Sequence, residues 1–148
     1  MTRISNPWIR AGLILLAALQ AVVSVWQYAF PRSFFDDFPT VRLDPPYNEH
    51  LVSDVGGLGL AITVTLVIAA VTMNRQVVLT ALTAYLVYAA THFAFHVSHF
   101  EHFEPRDAVS VGTGLGIEVV LALVLLFAGW RSRARTETGG AARQRVRA

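Results

Sequence analysis

Residues 51–73 read LVSDVGGLGLAITVTLVIAAVTM, an apolar run in which Asp54 is the only charge. About 20 mostly apolar residues are enough to cross the hydrocarbon core of a bilayer as an α-helix. Because lipid offers the backbone no hydrogen bonds, such a run is expected to satisfy its amides within the segment, as a helix. The stretch therefore predicts a transmembrane span.

Three further stretches have the same character, and they cover residues 8–30, 77–98 and 108–130. Together the four spans predict an all-α membrane four-helix bundle within residues 1–130. The remaining residues, 131–148, are polar and rich in arginine, which predicts a disordered cytoplasmic tail. The apolar run in span one is longer than the core of a cleaved signal peptide, so we expect it to persist as a span.

The composition supports a membrane protein and excludes several kinds of chemical site. Hydrophobic residues make up 54% of the 148 residues and charged residues 15%, against roughly 25% charged in a soluble domain. The chain has no cysteine, which excludes disulfides, thiolate metal sites and cysteine nucleophiles. We find no serine, histidine and carboxylate arrangement typical of a hydrolase, and enzymatic activity is left open. The net charge of +2 does not predict binding to nucleic acid, because the arginines concentrate in the tail.

Arginine placement predicts the orientation of the bundle. Arg3 and Arg10 flank the start of span one, Arg75 lies between spans two and three, and a run beginning at Arg131 follows span four. If the spans alternate, these segments share one side, which the positive-inside rule makes cytoplasmic. The sequence thus predicts a multi-pass protein of the cell inner (cytoplasmic) membrane with both termini in the cytoplasm. The bilayer is the expected partner, and a membrane-protein partner or a homo-oligomer is left open.

The first outer loop begins FPRSFFDDFP at residues 30–39. Its phenylalanines lie near helical spacing, which predicts a short helix in the outer interface, acting either as an anchor or as a lid. Further along, Asn48 is a plausible N-cap for span two, and Glu49 suits the positive end of that helix.

Span three ends in a histidine-rich stretch, THFAFHVSHFEH at residues 91–102. His92, His96 and His99 follow one another at i, i+4 and i+7, which places them on one helical stripe. His50 and Asp54, four residues apart, share a face at the same membrane side. An ionisable group inside the bilayer costs about 2.5–3.5 kcal/mol on insertion scales, so such groups usually face the bundle interior and pair.

Imidazole nitrogen and carboxylate oxygen are ligands for divalent transition metals. The sequence therefore predicts an outer metal-binding or redox site that holds Zn, Cu or Fe. The predicted ligands are His92, His96, His99, His50 and Asp54. The side chains expected to orient them or to relay protons are Glu118, Glu49, His102 and Gln20. We rank haem below a non-haem metal, because axial imidazoles usually come from facing helices and only span three carries deep histidines.

Two other functions stay open from the sequence. In a structural or partner-binding subunit, the polar groups would only join helices. In a small proton-coupled carrier, Glu118 and His92 would handle the proton. Glycines are expected to allow close helix approach in two places, at Gly112 and Gly116 in span four and around Gly56 to Gly59 in span two.

Two strings on the outer side carry a resemblance. Residues 30–39, FPRSFFDDFP, and residues 47–56, YNEHLVSDVG, resemble an uncharacterised family of small four-span integral membrane proteins of actinobacteria. The resemblance covers the four spans and leaves out the tail. It implies the topology and supplies no catalytic residues.

Overall fold

The computed structural model describes residues 2–43 and 46–132. In this part of the chain the helices are α1 (Pro7–Ala29), α2 (Pro31–Asp37), α3 (Glu49–Thr72), α4 (Arg75–Val97) and α5 (Pro105–Arg131), with a 3-10 turn at Val41–Leu43. Helices α1, α3, α4 and α5 are each long and apolar enough to cross a membrane. The predicted all-α four-helix bundle is confirmed. The predicted disordered tail lies outside the described residues from position 133 onward.

Asparagine side chains set the starts of three long helices. Asn6 accepts from the Trp8 amide at 2.9 Å, and Asn74 accepts from the Gln76 amide at 3.0 Å. Asn48, the predicted N-cap of span two, accepts from the Leu51 amide at 3.1 Å. Each cap satisfies an amide that the first turn of a helix leaves without an intrahelical partner.

The long helices pack mainly as two pairs, α1 with α3 and α4 with α5, and the two-residue turn between α3 and α4 joins the pairs. Helix α3 approaches α1 closely at two glycines. A Cβ atom at Gly56 would lie 2.6 Å from the Tyr28 backbone nitrogen, and one at Gly59 would overlap Ser24 Oγ. The predicted close approach therefore occurs in α3. In α5, Gly112 and Gly116 meet the rings of Phe100 and Phe93 instead, at ordinary van der Waals distance.

One end of the bundle gathers the arginines. The Arg3 guanidinium donates to the Thr72 carbonyl at 2.9 Å, and that of Arg75 donates to the Trp130 carbonyl at 2.9 Å. The chain start, the α3–α4 turn and the end of α5 therefore meet at the same end, as alternating spans require. We call it the arginine end. The opposite end, which carries His50, His99 and His102, is the histidine end.

The buried apolar core is concentrated towards the arginine end. Ile4 and Met73 close that end, and the Ile4 amide donates to the Met73 carbonyl at 2.9 Å. Within residues 105–131, the buried positions of α5 are Ala122, Leu125 and Gly129, all in its arginine-end half. The bundle is thus sealed at the arginine end, while α5 packs loosely towards the histidine end.

The short helix in the first loop is confirmed as α2. Its Phe34 is buried, and the Phe34 ring meets Trp26 of α1 edge-on with centroids 5.8 Å apart. Ser33 accepts a hydrogen bond from the Trp26 indole at 3.1 Å. Arg32 and Asp36 form an exposed ion pair at 2.7 Å, and this hydrogen bond raises the pKa of Arg32. Helix α2 is therefore fastened to the end of α1.

Candidate functional site

Polar side chains form a line through the bundle, from mid-span towards the histidine end. Helix α4 contributes the largest share, with positions three or four residues apart that fall on one face. We call the set the polar ladder. Its members are Gln20 and Ser24 of α1, Tyr85, Tyr88, His92 and His96 of α4, and Glu118 of α5.

The deepest contact of the polar ladder joins α4 to α5. The Tyr85 hydroxyl donates to Glu118 Oε2 at 3.1 Å, and Tyr85 is only 1% exposed. Glu118 is the middle residue of α5, thirteen positions from both Pro105 and Arg131. An ionisable group at that depth is a candidate for a functional role, because its insertion into the bilayer is costly. The hydrogen bond offsets part of that cost.

Aromatic contacts continue the ladder along α4. The Tyr88 and His92 rings are stacked, with centroids 5.8 Å apart and planes 6° from parallel. The His92 and His96 rings meet edge-on at 4.7 Å. These groups thus form a continuous row from the level of Tyr85 to the last turn of α4.

Helix α1 supplies the other wall. Gln20 and Ser24 are both buried, and the Gln20 amide donates to Ser24 Oγ at 2.9 Å. The Gln20 side chain also lies near the Tyr88 hydroxyl of α4. Gly59 of α3 lies against Gln20 and Ser24, and a side chain there would displace them. The close helix contact therefore holds the two polar residues in place.

The structure brings together only some of the predicted metal ligands. His92 and His96 are neighbours in the ladder. His99 is exposed, with Nδ1 2.8 Å from the Phe95 carbonyl oxygen and its ring stacked on Phe95. His50 and Asp54 share a face, as their spacing predicted; they lie 3.3 Å apart, and both are largely exposed.

Among the residues expected to orient ligands or relay protons, Glu118 and Gln20 lie in the ladder, whereas Glu49 and His102 are exposed at the histidine end. Across residues 2–43 and 46–132, no group of three or more histidines and carboxylates is arranged to hold a metal ion. The metal site, its Zn, Cu or Fe, and haem stay predictions from sequence.

Three ladder residues, Ser24, Tyr85 and Tyr88, were not among the predicted site residues, and Ser24 follows Gln20 by four positions. Tyr85 and Tyr88 precede His92 by seven and four positions, so the helical stripe of histidines already extended through them. The signal was the spacing alone, because a tyrosine in an apolar span is more often a packing residue.

No protein family, curated protein or solved structure matches this chain. The resemblance to the actinobacterial family accordingly stays a prediction. What the fold itself defines is a class: four helices of membrane-spanning length and composition indicate a multi-pass membrane protein.

Proposed function

We propose that this protein is a small proton-coupled carrier, with Glu118 as its proton-binding group. The observation that carries the proposal is the hydrogen bond from Tyr85 to Glu118 in the middle of the bundle, 3.1 Å long. At that depth the protonated and the ionised forms of a carboxyl differ greatly in solvation free energy. Such a group suits a role in which protonation is linked to a change elsewhere in the molecule.

The polar ladder between Glu118 and the histidine end supports a proton relay. Imidazole and phenol groups can each donate and accept a hydrogen bond, which is the property that a proton relay requires. His96, His92 and Tyr88 are neighbours in the ladder and continue it from Tyr85 towards the histidine end. Because the Tyr88 and His92 rings meet by stacking, with 5.8 Å between their centroids, in the proposal water molecules carry the proton between neighbouring groups from the histidine end to Glu118.

The packing supports access from one side. The histidine-end half of α5 has no buried residue within 105–121, whereas Ile4, Met73 and the apolar core close the arginine end. A proton bound at Glu118 would therefore reach the arginine end only after the helices rearrange. Such a linked rearrangement is the basis of coupling in a carrier.

The proposed orientation follows from the arginines. With the arginine end in the cytoplasm, the ladder opens to the extracytoplasmic side of the inner membrane. The direction of proton uptake would then match the usual direction of the proton gradient across that membrane.

The test uses purified protein in liposomes that contain a trapped pH-sensitive dye. After acidification outside, we expect faster internal acidification than in empty liposomes, and at least a tenfold loss of this flux in Glu118→Gln. Glu101→Gln, at an exposed carboxyl of the histidine end, is the matched control and should keep the flux. In infrared difference spectra between two pH values above the titration range of exposed carboxyls, one carboxyl band should be present in the unmodified protein and in Glu101→Gln and absent from Glu118→Gln. Proton-tight proteoliposomes and spectra without this band would overturn the proposal.

A second candidate is metal binding, and it rests on the contact between His92 and His96. Two imidazoles at i and i+4, 4.7 Å apart between ring centroids, can supply two ligands to one ion. Elemental analysis after loading with Zn²⁺ should then give one ion per chain, and His92→Ala should abolish it while the exposed His102→Ala should not. Metal contents at background in the loaded protein would remove this candidate.

A further inference from the structure

A groove of about 610 Å³ runs between α1 and α3 in the arginine-end half of the bundle. Its walls are small or apolar side chains, and several of them are exposed on the surface of the bundle. Along its length the groove is lined by Arg10, Ala18 and Ala21 of α1 and by Thr63, Val67 and Val71 of α3. Its volume falls in the range of about 300–1,000 Å³ that is typical of ligand sites.

The interior of the groove suits a hydrocarbon chain. Ala18 and Ala21 leave space where larger side chains would project, and Val67 on the other wall is apolar. Thr63 is the one hydroxyl among the lining residues, and it donates to the Gly59 carbonyl of its own helix at 2.9 Å. A ligand there would therefore meet no polar group that needs a partner.

A single cation stands at one mouth of the groove. Arg10 donates from Nε to the Ala70 carbonyl at 3.0 Å and from Nη2 to the Val71 carbonyl at 3.3 Å. These bonds hold the guanidinium over the C-terminal end of α3, where carbonyls lack intrahelical partners. Within the described residues Arg10 forms no ion pair, so its charge stays available to an anion.

The dimensions match one leaflet. From Arg10 to Ala21 the groove follows α1 for eleven residues, or about 16 Å, and half of a hydrocarbon core is about 15 Å. From these observations we propose that the groove binds one acyl chain of an anionic phospholipid, whose phosphate pairs with Arg10. The site lies apart from the polar ladder and does not depend on proton coupling.

The test is native mass spectrometry of delipidated protein in detergent, titrated with dioleoylphosphatidylglycerol or with dioleoylphosphatidylcholine. One basic residue near an anionic lipid surface contributes about 1 kcal/mol, which corresponds to about fivefold in affinity. We expect phosphatidylglycerol to bind about fivefold more tightly, Arg10→Gln to remove this preference, and Arg10→Lys to restore it. Ala18→Trp, which fills the groove from an exposed position, should weaken both lipids.

Arg131→Gln is the matched control, because Arg131 is an exposed arginine at the same end on α5, and it should keep the preference. Circular dichroism of each variant checks that the helices are intact. Equal binding of the two lipids by the unmodified protein would overturn the proposal. So would an equal loss in Arg131→Gln. A dimer that Ala18→Trp dissociates, with lipid binding unchanged, would instead assign the groove to a second copy of the chain.

Discussion

The hydroxyl of Tyr85 lies 3.1 Å from Oε2 of Glu118 and donates a hydrogen bond to it, joining the middle turns of α4 and α5. A second hydrogen bond between these helices, from the Arg75 guanidinium to the Trp130 carbonyl, lies at the arginine end. The bond from Tyr85 to Glu118 lies at mid-span, since Glu118 is the middle residue of α5. A double-mutant cycle can separate the free energy of this hydrogen bond from the effect of losing either side chain.

A double-mutant cycle of Tyr85→Phe and Glu118→Gln should reveal coupling between the two side chains. Side-chain hydrogen bonds between membrane helices are worth about 0.6 kcal/mol on average and up to about 1.7 kcal/mol, and we expect a value in this range. The measurement is the free energy of unfolding in detergent for all four proteins. Tyr28→Phe, at an exposed tyrosine of α1, should change the stability by less than about 0.5 kcal/mol. Zero coupling would mean that the bond contributes nothing.

Gly56→Ala should destabilise the protein by about 1–3 kcal/mol, the usual cost of overpacking. The new Cβ atom would lie 2.6 Å from a backbone nitrogen of α1, which cannot move aside as a flexible side chain can. Gly114→Ala is the matched control, since nothing lies within 4 Å of its Cβ position. That change should be neutral or should stabilise α5 by up to about 1 kcal/mol. Thermal melts in detergent would compare the two, and equal effects would contradict the prediction.

Asn74→Ala should cost about 1 kcal/mol, because it removes the cap of α4. The Asn74 side chain accepts from the amides of Gln76 and Val77, and loss of such a cap typically costs about 0.5–2 kcal/mol. Gln76→Ala, two positions further at an exposed site, serves as the control and should stay within about 0.5 kcal/mol. An unchanged free energy of unfolding in Asn74→Ala would contradict the prediction and would mean that other contacts hold the turn between α3 and α4.

Phe34→Ala should release α2 while leaving the four long helices intact. Phe34 is 5% exposed and packs on Trp26 and Phe38, so its loss removes the main apolar contact of the short helix. Hydrogen exchange by mass spectrometry should show faster exchange across residues 31–37 only. Asp36→Asn breaks the exposed ion pair with Arg32, a contact worth about 0–1 kcal/mol, and should leave that exchange nearly unchanged.

Single cysteines should report the orientation of the bundle, and the natural absence of cysteine gives a clean background. Glu101→Cys at the histidine end should react with a membrane-impermeant maleimide in intact cells. Gln76→Cys at the arginine end should react only after the membrane is opened. The reverse pattern would place the arginine end outside and would reverse the proposed direction of proton uptake.

Local features of the fold could be predicted from the sequence because their causes are local. Hydropathy located each span within three residues of its helix. The cap at Asn48 and the shared face of His50 and Asp54 follow from spacing along one helix. The meeting of Arg3 and Arg75 at one end follows from alternation, since each successive span must return through the bilayer.

The site was predicted only in part, because it depends on how helices are rotated and paired. Spacing placed His92, His96 and His99 on one stripe. It could not show that the His99 ring would contact the Phe95 carbonyl at the exposed end of the helix. Nor could it pair Glu118 with Tyr85, a residue of another helix.

By itself, the sequence determined the number of spans, their limits and the end at which the arginines collect. These features depend on the free energy of transferring each segment from water to lipid, and that free energy is set by the residues of the segment itself. Only the tertiary structure decided which helices pair and which polar groups meet inside. Between helices in lipid there is little hydrophobic driving force. The pairing of the helices therefore depends on shape complementarity, for example at Gly59, whose missing side chain leaves room for Gln20 and Ser24.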